Sequence, residues 1–219
     1  MIKRAIPCKT DNYGGLRAQD VEYIVIHYTA GNGDTAENNG LYFSRNAVAA
    51  SAHWFVDEKE AVLSVPEEFV AWHCGGAAYS HNKCRNGNSI GVELCSEKDD
   101  MGVYYFNDDT LRNAVELVHE LMEKYHIPIN NVIRHYDVTG KTCPAPFVGA
   151  GVGEWEIFKE ALRMYEKRYN EVDELPVWAK PTIDKLIKLN ILQGNGVGLD
   201  LSHDMVRLLV IQDRAGMFG

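Results

Sequence analysis

The sequence lacks two features that would place the protein in a membrane or route it through one. No apolar run approaches the roughly 18 residues of a spanning segment, which excludes a transmembrane helix. The first residues carry the pair Lys3-Arg4 without the apolar stretch of a secretory signal after it. We therefore expect synthesis in the cytoplasm without a signal peptide, no membrane insertion, and another exit route for any role outside the cell.

The cysteines also lack a regular spacing, and basic residues are fewer than acidic ones. Five cysteines are an odd number without a disulfide pattern, which fits a reducing compartment or a thiol with a chemical role. Lys and Arg number 22 against 31 Asp and Glu, and the net charge of −9 argues against nucleic acid as a general partner. Hydrophobic residues make up 46% and charged residues 24%, close to the globular average, which argues against wholesale disorder.

Short apolar strands and amphipathic helices alternate along most of the chain. Alternation and helical spacing predict strands at 22–28, 53–57, 61–65, 89–95 and 132–133, and helices at 34–45, 108–125 and 154–169. This order is typical of an α/β domain with a central mixed β-sheet flanked by helices.

The character of the sequence changes near residue 170. Residues 171–176 are typical of a linker, and two apolar helical stretches follow at 180–190 and 202–214, separated by a glycine-rich turn. We therefore predict one domain at 1–170 and a small helical C-terminal module at 171–219. Such a short piece is near the ~40-residue lower limit for folding alone, so we expect it to pack on the main domain or on a copy of itself.

Two histidines and one cysteine form a candidate metal site. His27 and His135 each end a predicted apolar strand, and Cys143 follows His135 in a Gly-Lys-Thr-Cys-Pro stretch. Two imidazoles and a thiolate suit Zn²⁺, and three protein ligands leave a fourth position open, as in catalytic zinc sites. Spacing alone leaves the ordinary alternative open, namely satisfied histidines at strand ends and a cysteine packed before proline.

Four motifs stand together in one order along the chain. They are VIHYTAG at 25–31, AWHCG at 71–75, IGVE at 90–93 and RHYDVTGKTCP at 134–144. With them the sequence resembles the zinc-dependent N-acetylmuramoyl-L-alanine amidases of the type 2 amidase and peptidoglycan-recognition-protein superfamily. Within that superfamily it is most similar to phage endolysins that attack Gram-positive walls, over roughly residues 5–168.

The resemblance implies a fold, a substrate and a set of roles. His27, His135 and Cys143 match the zinc ligands, Glu93 matches the catalytic carboxylate of the endolysin branch, and Lys141 matches a lysine facing the reacting carbonyl. The implied reaction is hydrolysis of the amide between N-acetylmuramic acid and L-alanine in bacterial peptidoglycan. Zinc would activate water, Glu93 would move the proton to the leaving amine, and Lys141 would stabilise the oxyanion. Without the other motifs, the ordinary alternatives would be favoured, namely a surface carboxylate on a strand for Glu93 and a solvated loop charge for Lys141.

Three further residues are expected to bind substrate. His53 resembles a cleft position where other branches of the family carry tyrosine, and its alternative is a buried structural histidine. Trp72 and His73 fit a groove wall that contacts sugar or stem peptide, and their alternative is hydrophobic packing.

The C-terminal module loosely resembles the start of surface-layer-homology repeats, which anchor proteins to cell walls. We therefore expect wall binding or self-association into a homo-oligomer, with a helical hairpin covering an apolar face of the first domain as the alternative. For the whole chain we expect a lytic endolysin released by a holin-type lesion. Its competitors are a non-catalytic peptidoglycan-recognition module, which typically lacks the cysteine ligand, and a cytoplasmic amidase that recycles wall fragments.

Overall fold

The computed structural model describes residues 1–165 and 168–218. The chain divides into two compact units, Met1–Tyr165 and Glu166–Gly219. The boundary predicted at residue 170 therefore lies inside the second unit. Within the described residues, no helix combines the length and apolar character needed to cross a membrane.

The first unit contains ten strands and four α-helices among its described residues. The strands are β1 (Ile2–Ala5), β2 (Tyr13–Leu16), β3 (Tyr23–Tyr28), β4 (Trp54–Val56), β5 (Glu60–Leu63), β6 (Phe69–Ala71), β7 (Ser89–Leu94), β8 (Glu97–Lys98), β9 (Tyr104–Tyr105) and β10 (Val132–Arg134). The helices are α1 (Ala36–Arg45), α2 (Asp108–Tyr125), α3 (His135–Thr139) and α4 (Val152–Met164).

Six of these strands form a mixed sheet in the order β1-β5-β4-β7-β3-β10. The pairs β4–β7, β7–β3 and β3–β10 are parallel, whereas β4 and β5 form the predicted antiparallel hairpin. The central strands β3 and β7 are mostly apolar because both of their faces are covered. The prediction of a central mixed sheet flanked by helices is confirmed.

The two faces of the sheet pack on different helices. On one face, Ile24, Ile26, Ile90 and Val92 join the largest apolar cluster, to which α2 and α4 contribute. On the other face, Phe55 packs in a smaller cluster with residues of α1. Because side chains alternate along a strand, the residues between the core positions of β3 and β7 point to the α1 face.

Two local predictions were wrong. The helix predicted at 154–169 ends at Met164, and Arg168–Tyr169 is instead the strand β11, which pairs antiparallel with β12 (Leu201–Ser202). Tyr169 is buried in the apolar core of the second unit, which explains why it leaves the helix; residues 166–167 lie outside the described part. His135 does not end a strand but begins the short helix α3.

The second unit has its own apolar core. Its helices are α5 (Lys180–Lys188) and α6 (His203–Arg214), close to the predicted stretches. The core residues include Leu175, from the segment predicted as a linker, together with Ile183 and Val206. Asp213 of α6 accepts hydrogen bonds from α5 and so ties the two helices together.

Candidate metal centre

The two central strands bring the first site residues together. In the parallel pairing of β3 and β7, Glu93 lies directly opposite His27, and Phe55 of β4 lies opposite Glu93. All three positions therefore project to the α1 face near the carboxyl ends of the strands. In this way residues that are far apart in the sequence become neighbours.

A tight turn brings the remaining two ligands to the same place. His135 is the first residue of α3, and the helix ends after one turn at Gly140, whose φ of 77° places it in the left-handed region that glycine favours. The chain then folds back, and the backbone N–H of Tyr136 donates a 2.7 Å hydrogen bond to the carbonyl of Cys143. This loop returns the thiol to the histidine that precedes it.

His27, His135 and Cys143 form a group able to hold a metal ion. Their ligand atoms all lie within 4.8 Å of one another, and all three residues are buried. The Cys143 Sγ lies 3.7 Å from Nδ1 of His27. Nδ1 of His135 is buried and has no hydrogen-bond partner among the residues that the structure describes. A buried nitrogen without a partner is costly, and a metal ion at this point would satisfy it.

The electrostatics of the group favour neutral ligands before a cation arrives. Burial lowers the pKa of His27 well below its usual range, and burial with a smaller contribution from Lys141 lowers that of His135 to about 4. Burial, reinforced by Glu93, raises the pKa of Cys143 to about 12. At neutral pH both imidazoles therefore offer lone pairs, and the thiol gives up its proton only when a cation binds.

The metal group lies in a cleft of about 320 Å³ that also contains both predicted catalytic residues. Glu93 has a buried Oε2 without a hydrogen-bond partner within residues 1–165 and 168–218. Burial raises the pKa of Glu93 to about 8, Lys141 opposes this shift and Asp34 adds to it. A carboxyl group with a pKa close to the working pH is suited to both accepting and returning a proton.

The three residues predicted to bind substrate differ in whether they line the cleft and in how exposed they are. Trp72 lines the cleft and is 37% exposed, so it remains a predicted substrate contact. His73 also borders the cleft, but it is buried and its Nδ1 lies 3.0 Å from Nε2 of His27.

The prediction that His53 contacts substrate needs correction. This ring is completely buried and is not among the residues lining the cleft. Its Nδ1 accepts a 2.9 Å hydrogen bond from the backbone N–H of Gly91, and its Nε2 lies within 3.2 Å of Arg17 and the Phe69 carbonyl. His53 therefore joins β4 to β7 beneath the cleft, which is the structural alternative.

Sequence reasoning missed part of the cleft wall. Asn39 and Phe43 of α1 line the cleft together with Ser51 and Phe55. Asn39 and Phe43 are four residues apart, so they share one helix face. That spacing was a usable signal, but nothing local indicates which face of α1 meets the sheet.

The comparisons with known proteins assign the chain to a family. The family model described as N-acetylmuramoyl-L-alanine amidase matches residues 17–146, and the chain therefore belongs to this family. It is 43% identical over 161 residues to the N-acetylmuramoyl-L-alanine amidase CwlL of Bacillus licheniformis. The alignment covers 68% of this chain and 42% of that protein. It is 40% identical over 158 residues to the N-acetylmuramoyl-L-alanine amidase BlyA of Bacillus subtilis (strain 168). That alignment covers 65% of this chain and 41% of the relative.

A solved structure of similar fold extends the likeness to the backbone. A mutant endolysin from Bacillus subtilis superposes with a TM-score of 0.62 at 26% identity, covering 74% of this chain and 99% of that one. The chain spans less than half the length of the two curated relatives it matches.

Proposed function

We propose that this protein is a zinc-dependent amidase that cleaves the bond between N-acetylmuramic acid and L-alanine in bacterial peptidoglycan. One observation carries the proposal: in a chain of this family, His27, His135 and Cys143 line one cleft with Glu93, whose buried Oε2 has no hydrogen-bond partner among the residues that the structure describes. The buried ligand set fits zinc, because two imidazoles and one thiolate are borderline-soft donors and leave a coordination position open.

The residues around the ligands supply the other chemistry. Zinc, when bound, contributes Lewis acidity that polarises a carbonyl oxygen and lowers the pKa of water. Glu93 takes a proton from the attacking water and returns it to the leaving amine, a role suited to its raised pKa of about 8. Lys141 lies in the same cleft and carries the positive charge that stabilises the developing oxyanion.

The non-catalytic alternative is less well supported. A recognition module needs a groove but has no use for a carboxyl group whose buried Oε2 has no hydrogen-bond partner in the described part of the chain. Glu93 lines one cleft with Cys143, and in a module that only binds, the unsatisfied oxygen of Glu93 would carry an uncompensated cost of burial. We therefore propose catalysis, and as its setting the lysis of a Gram-positive host by a phage or prophage after release from the cell. The likeness to an endolysin supports that setting.

The bond that is cleaved tests the proposal. Purified Gram-positive walls are incubated with the protein, and new chain ends are identified. We expect free L-alanine amino termini without new reducing sugars, loss of this activity with a zinc chelator, and recovery when zinc is added back. New reducing ends would indicate a glycosidase, and activity that survives complete metal removal would contradict the zinc requirement.

We propose a separate role for the module at 171–219, either wall binding or self-association. On α6, Leu208 and Ile211 are 55% and 61% exposed, whereas Val206 and Val210 of the same helix are buried in the core. The helix thus carries a second apolar face besides its core face. Exposed apolar patches often mark interaction sites.

A shortened chain and a double variant distinguish these roles. The shortened chain ends at Tyr165, and the full-length variant carries Leu208→Asn and Ile211→Asn. Loss of sedimentation with walls indicates wall binding, and fewer subunits per particle in analytical ultracentrifugation indicate self-association of the intact protein. Wall retention and a number of subunits per particle that both equal those of the intact protein, in both altered chains, would refute both roles.

A further inference from the structure

His73 is hydrogen-bonded to a metal ligand rather than exposed to substrate. The ring is 8% exposed, and its two nitrogens are both engaged. Nδ1 lies 3.0 Å from Nε2 of His27, and Nε2 lies 3.2 Å from the hydroxyl of Ser89. That hydroxyl in turn donates a 2.7 Å hydrogen bond to the carbonyl of Arg85. The four groups form one continuous chain that leads from the backbone to the ligand.

The chain of contacts fixes where each proton lies. Ser89 has one hydroxyl proton, and it goes to the Arg85 carbonyl, so the hydroxyl oxygen accepts from Nε2–H of His73. Nδ1 of the neutral His73 ring is then unprotonated and accepts a hydrogen bond from Nε2–H of His27. Because Nε2 of His27 holds the proton, Nδ1 of His27 is unprotonated, and this atom lies 3.7 Å from Cys143 Sγ. The tautomer of His27 that can bind a metal through Nδ1 is therefore selected in advance.

The same short segment supports the second histidine ligand. The carbonyl of Gly75, two residues after His73, lies 3.3 Å from Nε2 of His135. This contact leaves the partnerless Nδ1 of His135 for the metal. The segment itself is held in place by Asn86, whose Oδ1 accepts hydrogen bonds from the backbone N–H groups of His73 and Cys74 at 3.1 and 2.9 Å.

The backbone of β7 is shaped to admit the His73 ring. A Cβ atom added at Gly91 would lie 2.5 Å from Cγ of His73 and 2.7 Å from its Nδ1. The imidazole therefore lies directly against the strand at Gly91, where the absence of a side chain leaves room for it. A ring packed in this way has little freedom to turn away from His27.

We propose that His73 is a positioning residue that fixes the tautomer and orientation of the ligand His27 through the Ser89–His73–His27 chain. The proposal rests on the proposed metal site, and it assigns to His73 a role apart from substrate contact. Hydrogen-bonded partners of metal-binding histidines typically contribute 10–100-fold to metal affinity.

Zinc affinity of the full-length protein tests the proposal. Competition with a chromophoric chelator measures Kd for the wild type and for His73→Phe, which keeps an aromatic ring but removes the acceptor. We expect His73→Phe to weaken zinc binding by about 10–100-fold. His73→Asn keeps an amide oxygen near the position of Nδ1 and should recover part of the loss. Ser89→Ala should weaken binding in the same direction but less.

A second readout separates positioning from a loss of packing. In the metal-free protein, ¹⁵N–¹H correlation spectra of the imidazoles should show His27 as the Nε2–H tautomer. In His73→Phe the His27 signals should shift to the other tautomer or to a mixture. His119→Phe, the same exchange at a histidine of α2 that is not among the residues lining the cleft, is the matched control and should leave both readouts unchanged.

The outcomes are distinct from those of the proposed function. A wild type that does not bind zinc overturns the metal site and the positioning role together. A wild type that binds zinc, with His73→Phe folded and equal to it in Kd and in His27 tautomer, overturns the positioning role alone. If His73→Phe does not fold, Ser89→Ala and His73→Asn decide the matter by the same measurements.

Discussion

Replacing Gly91 by alanine tests whether the packing under the metal ligands is as tight as the structure indicates. The new Cβ would lie 2.5, 2.7 and 2.9 Å from three atoms of the His73 ring, all closer than real Cβ contacts allow. Hydrogen bonds of 3.0 Å to His27 and 3.2 Å to Ser89 hold that ring from both sides. The ring therefore moves only by breaking contacts with the metal ligand or with the strand.

The expected cost follows from the general behaviour of overpacked cores. Inserting a methyl group into a well-packed site typically costs about 1–3 kcal/mol. The backbone of Gly91 is not in the left-handed region, so the lower entropy of alanine in the unfolded chain returns about 0.4–1 kcal/mol. We expect Gly91→Ala to lower the Tm by roughly 2–4 °C per kcal/mol of net loss.

Thermal unfolding of the metal-free protein is the assay, because bound metal would add stability of its own. Gly15→Ala is the matched control: this strand glycine has nothing within 4 Å of its would-be Cβ and should be neutral or slightly stabilised. A double-mutant cycle with His73→Ala tests whether the clash with the ring is the cause. When the ring is absent, Gly91→Ala should lower the free energy of unfolding by about 0.5–3 kcal/mol less than it does when the ring is present. An equal cost with and without the ring would refute the reasoning.

Three further predictions concern the ligands and their support. Cys143→Ser should lower the zinc content of purified protein, and unchanged content by metal analysis would refute the ligand assignment. Apparent zinc affinity should rise by at least about tenfold per pH unit between about pH 6 and 8, because the thiol of Cys143, with its pKa of about 12, must release a proton, whereas His27 and His135 are already neutral. Calorimetry in buffers of different ionisation enthalpy should detect the release of at least one proton, and binding without proton release would contradict the assignment. Lys159→Met should cost about 1–3 kcal/mol in denaturant unfolding, because Nζ donates a 2.8 Å hydrogen bond to the buried Val132 carbonyl; unchanged stability would contradict it.

Much of the central sheet was predictable because burial on both faces leaves a strong local signal. β3 and β7 are short, mostly apolar segments, and α2 has clear helical spacing, so all three were found close to their observed bounds. β1 and β2 were missed because they are short and mostly exposed, and they exist only through pairing with distant strands. Strands of this kind carry no periodicity that distinguishes them from a loop.

The site was predictable in its members but not in its internal contacts. His27, Glu93 and Cys143 were found through motifs, and the structure brings them into one cleft. For His53, the sequence left burial and substrate contact open as alternatives. The contact of His73 with His27 was not found, because it depends on how segments 46 residues apart meet across the sheet. Sequence spacing carries no information on which ring nitrogen faces which neighbour.

The most direct test of the central claim is the rate at which new L-alanine amino termini form on purified walls with wild type and with Glu93→Gln. Glutamine keeps the shape of the side chain but cannot take up the proton. We expect Glu93→Gln to retain zinc and to produce these termini about 10²–10⁴-fold more slowly. A Glu93→Gln protein that holds zinc and releases alanine termini at the wild-type rate would contradict the central claim.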